Sequence, residues 1–235
     1  MNPSPRTARL VESHELALEI RHFVFEVPGL DRLTFQPGQF VSLHHRIHGE
    51  DITRAYSIAS PPNGGNRFEL CLNRVPSGPF STFLFDLHPG DEVELEGPLG
   101  FFLLREPVGD SLFVATGTGI SPLRSMITHL LACGCDRRLQ LLFGARYPER
   151  ILYRREFEDL AARHPNFTFH PTLSRPPEGW AGLRGHLQEH LFERIAGRTG
   201  VDVYVCGLKA MVNDVRARLK EAGFDRKHII YEKYD

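Results

Sequence analysis

The sequence has almost no net charge and no long hydrophobic run. Its 28 lysine and arginine residues against 29 aspartate and glutamate residues give a formal net charge of -1. No global positive field therefore exists to hold nucleic acid or an anionic membrane. No apolar run approaches the roughly 18 residues of a membrane span, and the first segment, MNPSPRTARL, has no signal-peptide core. We expect a cytoplasmic protein that binds neither nucleic acid nor a membrane.

Cysteine is scarce, and the common catalytic motifs are missing. The four cysteines are too scattered for a disulfide framework, and no four thiolates have the spacing of a zinc or iron–sulfur site. The stretch HHRIH at residues 44–48 matches no motif of known ligand geometry. The chain has no Gly-x-Ser-x-Gly elbow, no Walker loop and no His-Glu-x-x-His helix. We therefore expect no bound metal.

The sequence has the composition of a globular protein, and its pattern of apolar and turn residues changes near residue 107. It is 41% hydrophobic and 24% charged, with a mean hydropathy of -0.26, which is typical of a folded protein. Before residue 107, short β-branched and aromatic runs alternate with turn residues, which predicts an antiparallel barrel or sandwich. A short helix is predicted at residues 79–86. The predicted strands cover residues 17–27, 38–44, 52–58, 67–73 and 91–95.

From residue 111 onward, apolar strands alternate with longer helical segments. Such alternation indicates βαβ units and a parallel sheet covered on both faces. One predicted helix, at residues 209–222, has its apolar side chains on a single face. The segment 106–109, Glu-Pro-Val-Gly, is the best candidate for a linker. We therefore predict two domains, at residues 1–106 and 107–235.

The segment ATGTGISP at residues 115–122 follows an apolar strand and opens a helix. In that position glycines let backbone N–H groups approach a pyrophosphate, and the helix N-terminus attracts its charge. Pro122 stands where the third glycine of the usual fingerprint would be, and it suits a first helical turn. A plain tight turn between strand and helix is the alternative interpretation of this motif taken alone.

The next strand, residues 139–143, does not end in the acid that binds a ribose 2′-hydroxyl in NAD-specific domains. It is followed by Arg146, and Ser174 with Arg175 follow the strand after that. Together with Arg184, these residues offer donors for a 2′-phosphate. Each arginine alone is more often a solvated surface residue, but three arginines at consecutive strand ends favour a phosphate site.

Two short motifs in the first half of the chain contain groups that suit a planar phosphorylated cofactor. RAYS, at residues 54–57, combines a cation, an aromatic ring and a hydroxyl at a strand end. GPFS, at residues 78–81, is a glycine turn leading into the short helix, which either holds a pyrophosphate or simply caps that helix. Neither motif is specific by itself.

The order of these motifs resembles that of the ferredoxin–NADP reductase superfamily over about residues 6–235. The resemblance implies a six-stranded antiparallel β-barrel that binds FAD, followed by a Rossmann-like parallel sheet that binds NADP(H). The motifs that carry it are RAYS, GPFS, GDEVELEGPLG (90–100), ATGTGISPL (115–123), FGAR (143–146), LSR (173–175), VYVCGLKAM (203–211) and YEKY (231–234).

The resemblance also implies which residues contact each cofactor. For the flavin and its phosphates they are Arg54, Ala55, Tyr56, Ser57, Cys71, Leu72, Asn73, Gly78, Pro79, Phe80 and Ser81. For the nicotinamide nucleotide they are Thr116, Gly117, Thr118, Gly119, Arg146, Ser174, Arg175, Arg184, Cys206, Gly207, Leu208, Met211 and Tyr234.

Four residues are implied to lie at the reacting centre: Ser57, Cys206, Glu232 and Tyr234. Taken without the resemblance, Cys206 and Cys71 are ordinary buried strand cysteines. Tyr234 resembles the C-terminal aromatic residue that stacks on the flavin in this superfamily. The chain departs from the plastid enzymes because Asp235 follows that ring, and its carboxylate is expected to perturb stacking or nucleotide entry.

The implied activity is hydride transfer between NADPH and FAD, with single electrons passed to or from a separate ferredoxin or flavodoxin. We expect a monomer. Arginines at 137, 138, 150, 154 and 155 form either a docking surface for an acidic carrier or simply solvated helix faces. The alternatives are a reductase component of an oxygenase, a free-flavin reductase, or an electron-relay subunit of a larger complex.

Overall fold

A computed structural model describes residues 6–198 and 200–234 of the chain. The chain divides into two compact units. The first contains residues 1–103 and 124–129, and the second contains residues 104–123 and 130–235. No helix within the described ranges is long and apolar enough to cross a membrane.

The first unit is a six-stranded antiparallel barrel, as the resemblance predicts. Its strands run in the order β4-β3-β6-β1-β2-β5, and an antiparallel bridge between Ile58 and Leu70 joins the two ends of that order. Next to the bridge, the Ala59 N–H donates to the Glu69 carbonyl at 2.8 Å. The strands are β1 (Arg6–Ala17), β2 (Ile20–Glu26), β3 (Phe40–Ile47), β4 (Glu50–Ser57), β5 (Arg67–Asn73) and β6 (Glu92–Leu99).

Alternation along these strands builds the core of the barrel. Phe23 and Phe25 of β2 stack at 6.1 Å between ring centroids, and Phe68 of β5 stacks on Phe25 at 5.6 Å. All three rings are fully buried. Helix α1 (Pro79–Asp86) occupies the residues predicted for it and buries Phe80, Ser81 and Leu84.

The prediction for the start of the barrel is wrong in two respects. Strand β1 was not predicted, and the predicted strand at 17–27 begins too early, since Ala17 belongs to β1 and Leu18 and Glu19 form the turn into β2. Two register shifts in β1, at Leu10/Glu12 and Glu15/Ala17, interrupt its alternation. A bulge inserts an extra residue and shifts the pattern by one, which hides the period of two from a sequence reading.

The second unit is a six-stranded sheet in which every pair is parallel, which confirms the predicted βαβ alternation. Its order is β10-β9-β8-β7-β11-β12. The strands are β7 (Ser111–Thr116), β8 (Leu139–Ala145), β9 (Phe167–Leu173), β10 (Leu183–Arg184), β11 (Asp202–Leu208) and β12 (Ile229–Tyr234). The helices are α2 (Ile120–Ala132), α3 (Arg154–Arg163), α4 (Leu191–Ile195) and α5 (Lys209–Glu221).

Helix α5 packs as its sequence predicts. Its buried side chains are Met211, Val212, Val215 and Leu219, which form the single apolar face of the predicted helix. Strand β10 and helix α4 were not predicted, because two and five residues are too short to show a period.

Polar contacts anchor the beginning of the second unit to β11. Arg105 donates from its backbone N–H to the Tyr204 hydroxyl at 2.9 Å and from its guanidinium to Asp202 at 2.7 Å. His228, just before β12, shares the same Asp202 oxygen at 2.6 Å. These bonds fix the amino-terminal ends of β11 and β12, whose carboxyl ends carry Cys206, Glu232 and Tyr234.

Helix α2 contributes to both units, since residues 124–129 group with the barrel. Within the first unit, the Arg124 guanidinium donates to the Ala59 carbonyl at 2.8 Å and to the Glu69 carboxylate at 2.5 Å. The Ser125 hydroxyl donates to the Ser60 carbonyl at 2.6 Å.

Candidate functional site

The predicted flavin residues lie where β4 and β5, the two ends of the strand order, come together with little backbone pairing. In the part of the chain that the structure describes, no ladder joins β4 to β5, which are linked through the Ile58–Leu70 bridge. Continuing that register places Ser57 and Tyr56 across from Cys71 and Leu72. RAYS and the end of β5 therefore face each other across this seam of the barrel.

Helix α1 begins beside the seam with an N-terminus suited to a phosphate. Gly78 is the N-cap residue, and within the described chain no side chain caps the helix. Pro79 has no N–H, so the first backbone donors are those of Phe80 and Ser81. A Cβ added at Gly78 would lie 2.9 Å from Val75 Cβ, so only glycine fits this turn.

The Ser81 hydroxyl already holds the turn that precedes α1. It accepts a hydrogen bond from the Val75 N–H at 2.9 Å and donates to the Gly78 carbonyl at 3.1 Å. Its role in the structure is to close the loop at 75–78, which leaves the backbone donors of the first turn for a ligand.

Tyr56 supplies the aromatic surface of this site. Its ring is half-buried and lies 6.3 Å from the Phe80 ring at an angle of 25°. Burial raises the pKa of Tyr56 to about 12, although the Arg54 charge opposes that rise, so the phenol stays neutral. Arg54 is exposed and donates to the Thr53 carbonyl at 2.8 Å. A neutral ring, a cation and an uncapped helix N-terminus fit FAD, which carries both a planar ring and a pyrophosphate.

In the second unit, the glycine-rich loop at residues 116–119 begins at Thr116, the last residue of β7. Gly117 has φ +54°, a left-handed conformation that glycine adopts without strain. Gly119 packs directly on β11, because a Cβ there would overlap the Cys206 carbonyl and lie 2.7 Å from Gly207 Cα. The two glycines thus serve a backbone turn and a close approach of two backbones.

Thr116 and Gly207 form a polar cradle beside that turn. The Thr116 Oγ1 atom is buried and has no hydrogen-bond partner among the described residues. Gly207 has φ +146°, and a Cβ there would lie 2.6 Å from Thr116 Oγ1 and 2.9 Å from Met211 Cε. A buried hydroxyl without a partner costs free energy unless a ligand satisfies it. The cradle therefore fits the polar carboxamide end of a nicotinamide nucleotide.

Cys206, Glu232 and Tyr234 come together on neighbouring strands. Cys206 pairs with Glu232 in the parallel register of β11 and β12, and Leu208 pairs with Tyr234. Burial raises the pKa of the Cys206 thiol, and the Glu232 carboxylate raises it further, while a hydrogen bond from the Tyr234 side chain opposes both effects. Cys206 is therefore a neutral thiol.

The candidate 2′-phosphate residues lie at the carboxyl ends of β8, β9 and β10. The Ser174 N–H donates to the Ala145 carbonyl, and the Arg175 N–H donates to the Arg146 carbonyl, both at 3.0 Å. Arg184 follows by pairing with Leu173. All three arginines are exposed. The four predicted residues come from three segments of the chain and lie at one edge of the sheet.

Two aromatic residues beside this cationic edge were missed by the sequence analysis. The Tyr147 hydroxyl accepts a hydrogen bond from Arg175 at 3.3 Å. The Trp180 carbonyl accepts one from Arg184 at 2.9 Å, and the Trp180 ring lies 5.5 Å from the Arg154 guanidinium carbon. Trp180 is the only tryptophan of the sequence, but no sequence motif links it or Tyr147 to this edge.

The predicted run of docking arginines is not one surface. Arg137 and Arg138 precede β8, whereas Arg150, Arg154 and Arg155 follow its carboxyl end. The seven residues of β8 separate the two groups by about 20 Å, given 3.3 Å per residue. Sequence proximity hid this separation.

The remaining predicted residues have varied environments. Leu72 and Phe80 are part of the barrel core, and Cys71 is 5% exposed. Leu208 is 63% exposed at the end of β11. The expectation about Asp235 lies outside the described residues.

Two family models match the chain. The model described as an oxidoreductase FAD-binding domain covers residues 7–103, and the one described as an oxidoreductase NAD-binding domain covers residues 113–217. These matches assign FAD binding to the barrel half of the chain and nicotinamide-nucleotide binding to the parallel-sheet half.

Individual proteins are similar over nearly the whole chain. Ferredoxin--NADP reductase B of Sorangium cellulosum is 42% identical over 240 residues, which cover 98% of each protein. The reductase component of phenol 2-monooxygenase from a Pseudomonas species is 38% identical over 212 residues, which cover 87% of this chain but 59% of that protein. Among solved structures, the Amycolatopsis cytochrome P450 reductase GcoB matches with a TM-score of 0.88 at 29% identity, over 99% of this chain and 71% of that one.

Proposed function

The chain belongs to the ferredoxin–NADP reductase family of FAD-dependent oxidoreductases, and from this premise we propose that it takes hydride from NADPH and delivers single electrons to a separate carrier protein. We assign FAD to residues 1–106 and the nicotinamide nucleotide to residues 107–235. The expectations that the protein is a monomer and that it is cytoplasmic stay predictions.

When bound, FAD supplies the conversion between two-electron and one-electron chemistry. The protein's part is binding and positioning. We propose that the donors of the first turn of α1, with Arg54, hold the FAD phosphates, and that Tyr56 lies against the ring with Ser57 beside the reacting atoms. In the second unit, Thr116 would bind the carboxamide, with Cys206 and Glu232 next to the nicotinamide.

The observation that carries the choice of NADPH is the cationic edge at the ends of β8, β9 and β10. Arg146 and Arg175 are held as neighbours by a backbone hydrogen bond of 3.0 Å, Ser174 directly follows β9, and Arg184 is the last residue of β10. A hydrogen bond to a charged group is worth about 1.5–3 kcal/mol, which corresponds to roughly ten- to a hundredfold in affinity. This edge supports recognition of a 2′-phosphate.

The proposed acceptor is a ferredoxin or flavodoxin. The full-length similarity to a ferredoxin--NADP reductase supports this choice. The second candidate is a reductase component of an oxygenase, which the phenol 2-monooxygenase reductase component favours. This chain spans about three fifths of that relative's length, so we carry the complete activity of the relative over to this chain only as a proposal.

The decisive experiment combines nucleotide preference with carrier reduction. We expect purified protein to hold one FAD per chain and to show a higher kcat/KM for NADPH than for NADH. Arg146→Ala and Arg175→Ala should each lower the NADPH value about ten- to a hundredfold and leave the NADH value nearly unchanged. Arg163→Ala, at an exposed arginine of α3, is the matched control and should change neither value.

Equal losses for both nucleotides would mean that the arginines are structural and that the NADPH assignment is wrong. The acceptor is tested separately, by following NADPH-driven reduction of purified ferredoxin, flavodoxin and an oxygenase component under anaerobic conditions. Reduction of the oxygenase component alone would favour the second candidate.

A further inference from the structure

Two cysteines outside the cofactor sites, Cys133 and Cys135, lie at the end of helix α2. The helix ends in a Schellman motif, in which the Gly134 N–H donates to the Leu131 carbonyl at 3.1 Å and the Cys135 N–H donates to the Leu130 carbonyl at 3.0 Å. Gly134 has φ +73°, the left-handed conformation that this motif requires. The motif fixes the backbone between the two cysteines.

That backbone brings the two cysteines within disulfide range. Across one residue of helical conformation of either hand, Cα atoms are about 5.4 Å apart, as a radius of 2.3 Å and a rise of 1.5 Å per residue require. Disulfides span Cα separations of about 4.4–6.8 Å. Just after the motif, the Asn166 amide donates to the carbonyls of Cys135 and Arg137 at 2.8 and 2.9 Å, which holds Cys135 in place.

Exposure distinguishes this pair from the other two cysteines. Cys133 is exposed and Cys135 is half-buried, whereas Cys71 and Cys206 are 5% and 0% exposed. We propose that Cys133 and Cys135 form a solvent-accessible dithiol that undergoes thiol–disulfide exchange with low-molecular-weight disulfides. This is a reversible modification site separate from the flavin and nicotinamide chemistry.

The exchange has two steps. The Cys133 thiolate attacks one sulfur of the small disulfide, which forms a mixed disulfide and releases one small thiol. The Cys135 thiolate then attacks the Cys133 sulfur and releases the second small thiol, which leaves a Cys133–Cys135 disulfide. The two protein thiols are oxidised by two electrons, the small disulfide is reduced to two thiols, and the two protein protons end on those thiols.

The small size of the ring makes this disulfide easy to reverse. A bridge across a single glycine gives little freedom to reach the preferred dihedral angle of about 90°, and strained bridges are more readily reduced. Exposed and strained disulfides are the labile ones, in contrast to structural bridges. The pair is therefore suited to respond to the thiol–disulfide balance around it.

The test uses the FAD-loaded full-length protein and oxidised glutathione under anaerobic conditions. Trypsin releases both cysteines of the pair in one peptide, residues 125–137, while Cys71 and Cys206 fall in peptides 68–74 and 199–209. We expect peptide 125–137 to lose two hydrogens by mass, and the thiols titrated after unfolding in denaturant to fall from four to two. Dithiothreitol should restore all of them, and the other two peptides should stay reduced.

Variants in which one cysteine of the pair is replaced by serine test the order of the steps. Cys135→Ser should accumulate a stable glutathione adduct on Cys133. Cys133→Ser should react several-fold more slowly, because Cys135 is less exposed. Retained FAD absorbance verifies that each variant is folded.

An unchanged peptide 125–137, or a wild-type protein that stops at the mixed disulfide, would overturn the proposal. So would a Cys135→Ser variant that forms no adduct. These outcomes do not depend on NADPH oxidation, so this proposal can fail without the proposed function failing, and the reverse also holds.

Discussion

At the residue scale, three side chains contributed by two neighbouring strands share one environment. Tyr234 hydrogen-bonds Cys206, and Glu232 lies next to the same thiol in the register of β11 and β12. A sequence reading names these residues only through family resemblance, because nothing in VYVCG or YEKY shows that the two segments pair. Their combination gives separable predictions for the ring, the hydroxyl and the carboxylate.

Tyr234 is predicted to limit nucleotide binding through its ring. Aromatic stacking is worth about 1 kcal/mol, so Tyr234→Ser should tighten NADP⁺ binding about fivefold and reduce discrimination between NADPH and NADH. Tyr234→Phe keeps the ring and loses the hydrogen bond to Cys206, so its nucleotide Kd should match the wild type. Titrating the flavin spectrum with nucleotide measures both. If the Ser variant also keeps the wild-type Kd, Tyr234 only packs at the sheet edge.

Glu232 is predicted to act on the hydride step and not on binding. Glu232→Gln removes the charge beside Cys206 and should slow single-turnover flavin reduction at least tenfold, which is about 1.4 kcal/mol, with an unchanged nucleotide Kd. Lys233→Gln is the control, because its side chain points to the opposite face of β12. A parallel loss of affinity and rate would assign Glu232 to nucleotide binding instead.

At the element scale, the loop after β7 depends on close backbone contact with β11. Gly119→Ala would force a Cβ onto the Cys206 carbonyl, so we expect a loss of about 1–3 kcal/mol in the free energy of unfolding and weaker nucleotide binding. Gly117→Ala is the comparison. It has no atom within 4 Å of an added Cβ, so its cost is only the strain of φ +54°, about 1–2 kcal/mol.

Urea unfolding and nucleotide titration of the two variants separate packing from strain. Nucleotide affinity should fall further in Gly119→Ala than in Gly117→Ala, since only the former displaces Cys206 and Gly207. Equal losses of affinity would mean that the loop's conformation, and not its packing on β11, shapes the site.

Elements with a clear period were predictable from the sequence, and the irregular ones were not. Helices α1 and α5 agree with their predicted positions because their apolar spacing is regular and their ends have turn residues. Strand β1 was not predicted because its two register shifts interrupt the alternation of apolar and polar residues. In the site, the glycine loop was recognisable, but Tyr147 and Trp180 were not, since only the folded chain brings them to Arg175 and Arg184.

At the scale of the whole molecule, each unit contains a histidine that is held neutral. In the first unit, burial lowers the pKa of His22 to about 4, with contributions from the Arg124 and His14 charges and opposition from Glu69. In the second, burial and the charges of Arg194 and Arg138 lower the pKa of His170 to about 4. Acid should therefore destabilise both units over the same range of pH.

The direction follows from proton binding. Between pH 6.5 and 4 the unfolded chain protonates these histidines and the folded chain does not, so the free energy of unfolding falls as pH drops through that window. Each histidine contributes at most about 1.4 kcal/mol per pH unit. The lowered pKa values of the Glu26 and Asp225 carboxyls add losses only below their ordinary values of 4.5 and 3.8. The range from pH 6.5 to 5 thus reports on the histidines.

Two probes resolve the units in this range. Urea unfolding followed by FAD release reports on the barrel, and the fluorescence of Trp180, the single tryptophan, reports on the second unit. We expect His22→Gln to flatten the pH dependence of FAD release alone and His170→Gln to flatten that of the Trp180 transition alone. His88→Gln, whose side chain is 86% exposed, should leave both slopes unchanged. If each variant flattened both slopes equally, the two units would unfold as one cooperative body, and the acid sensitivity would belong to the whole chain.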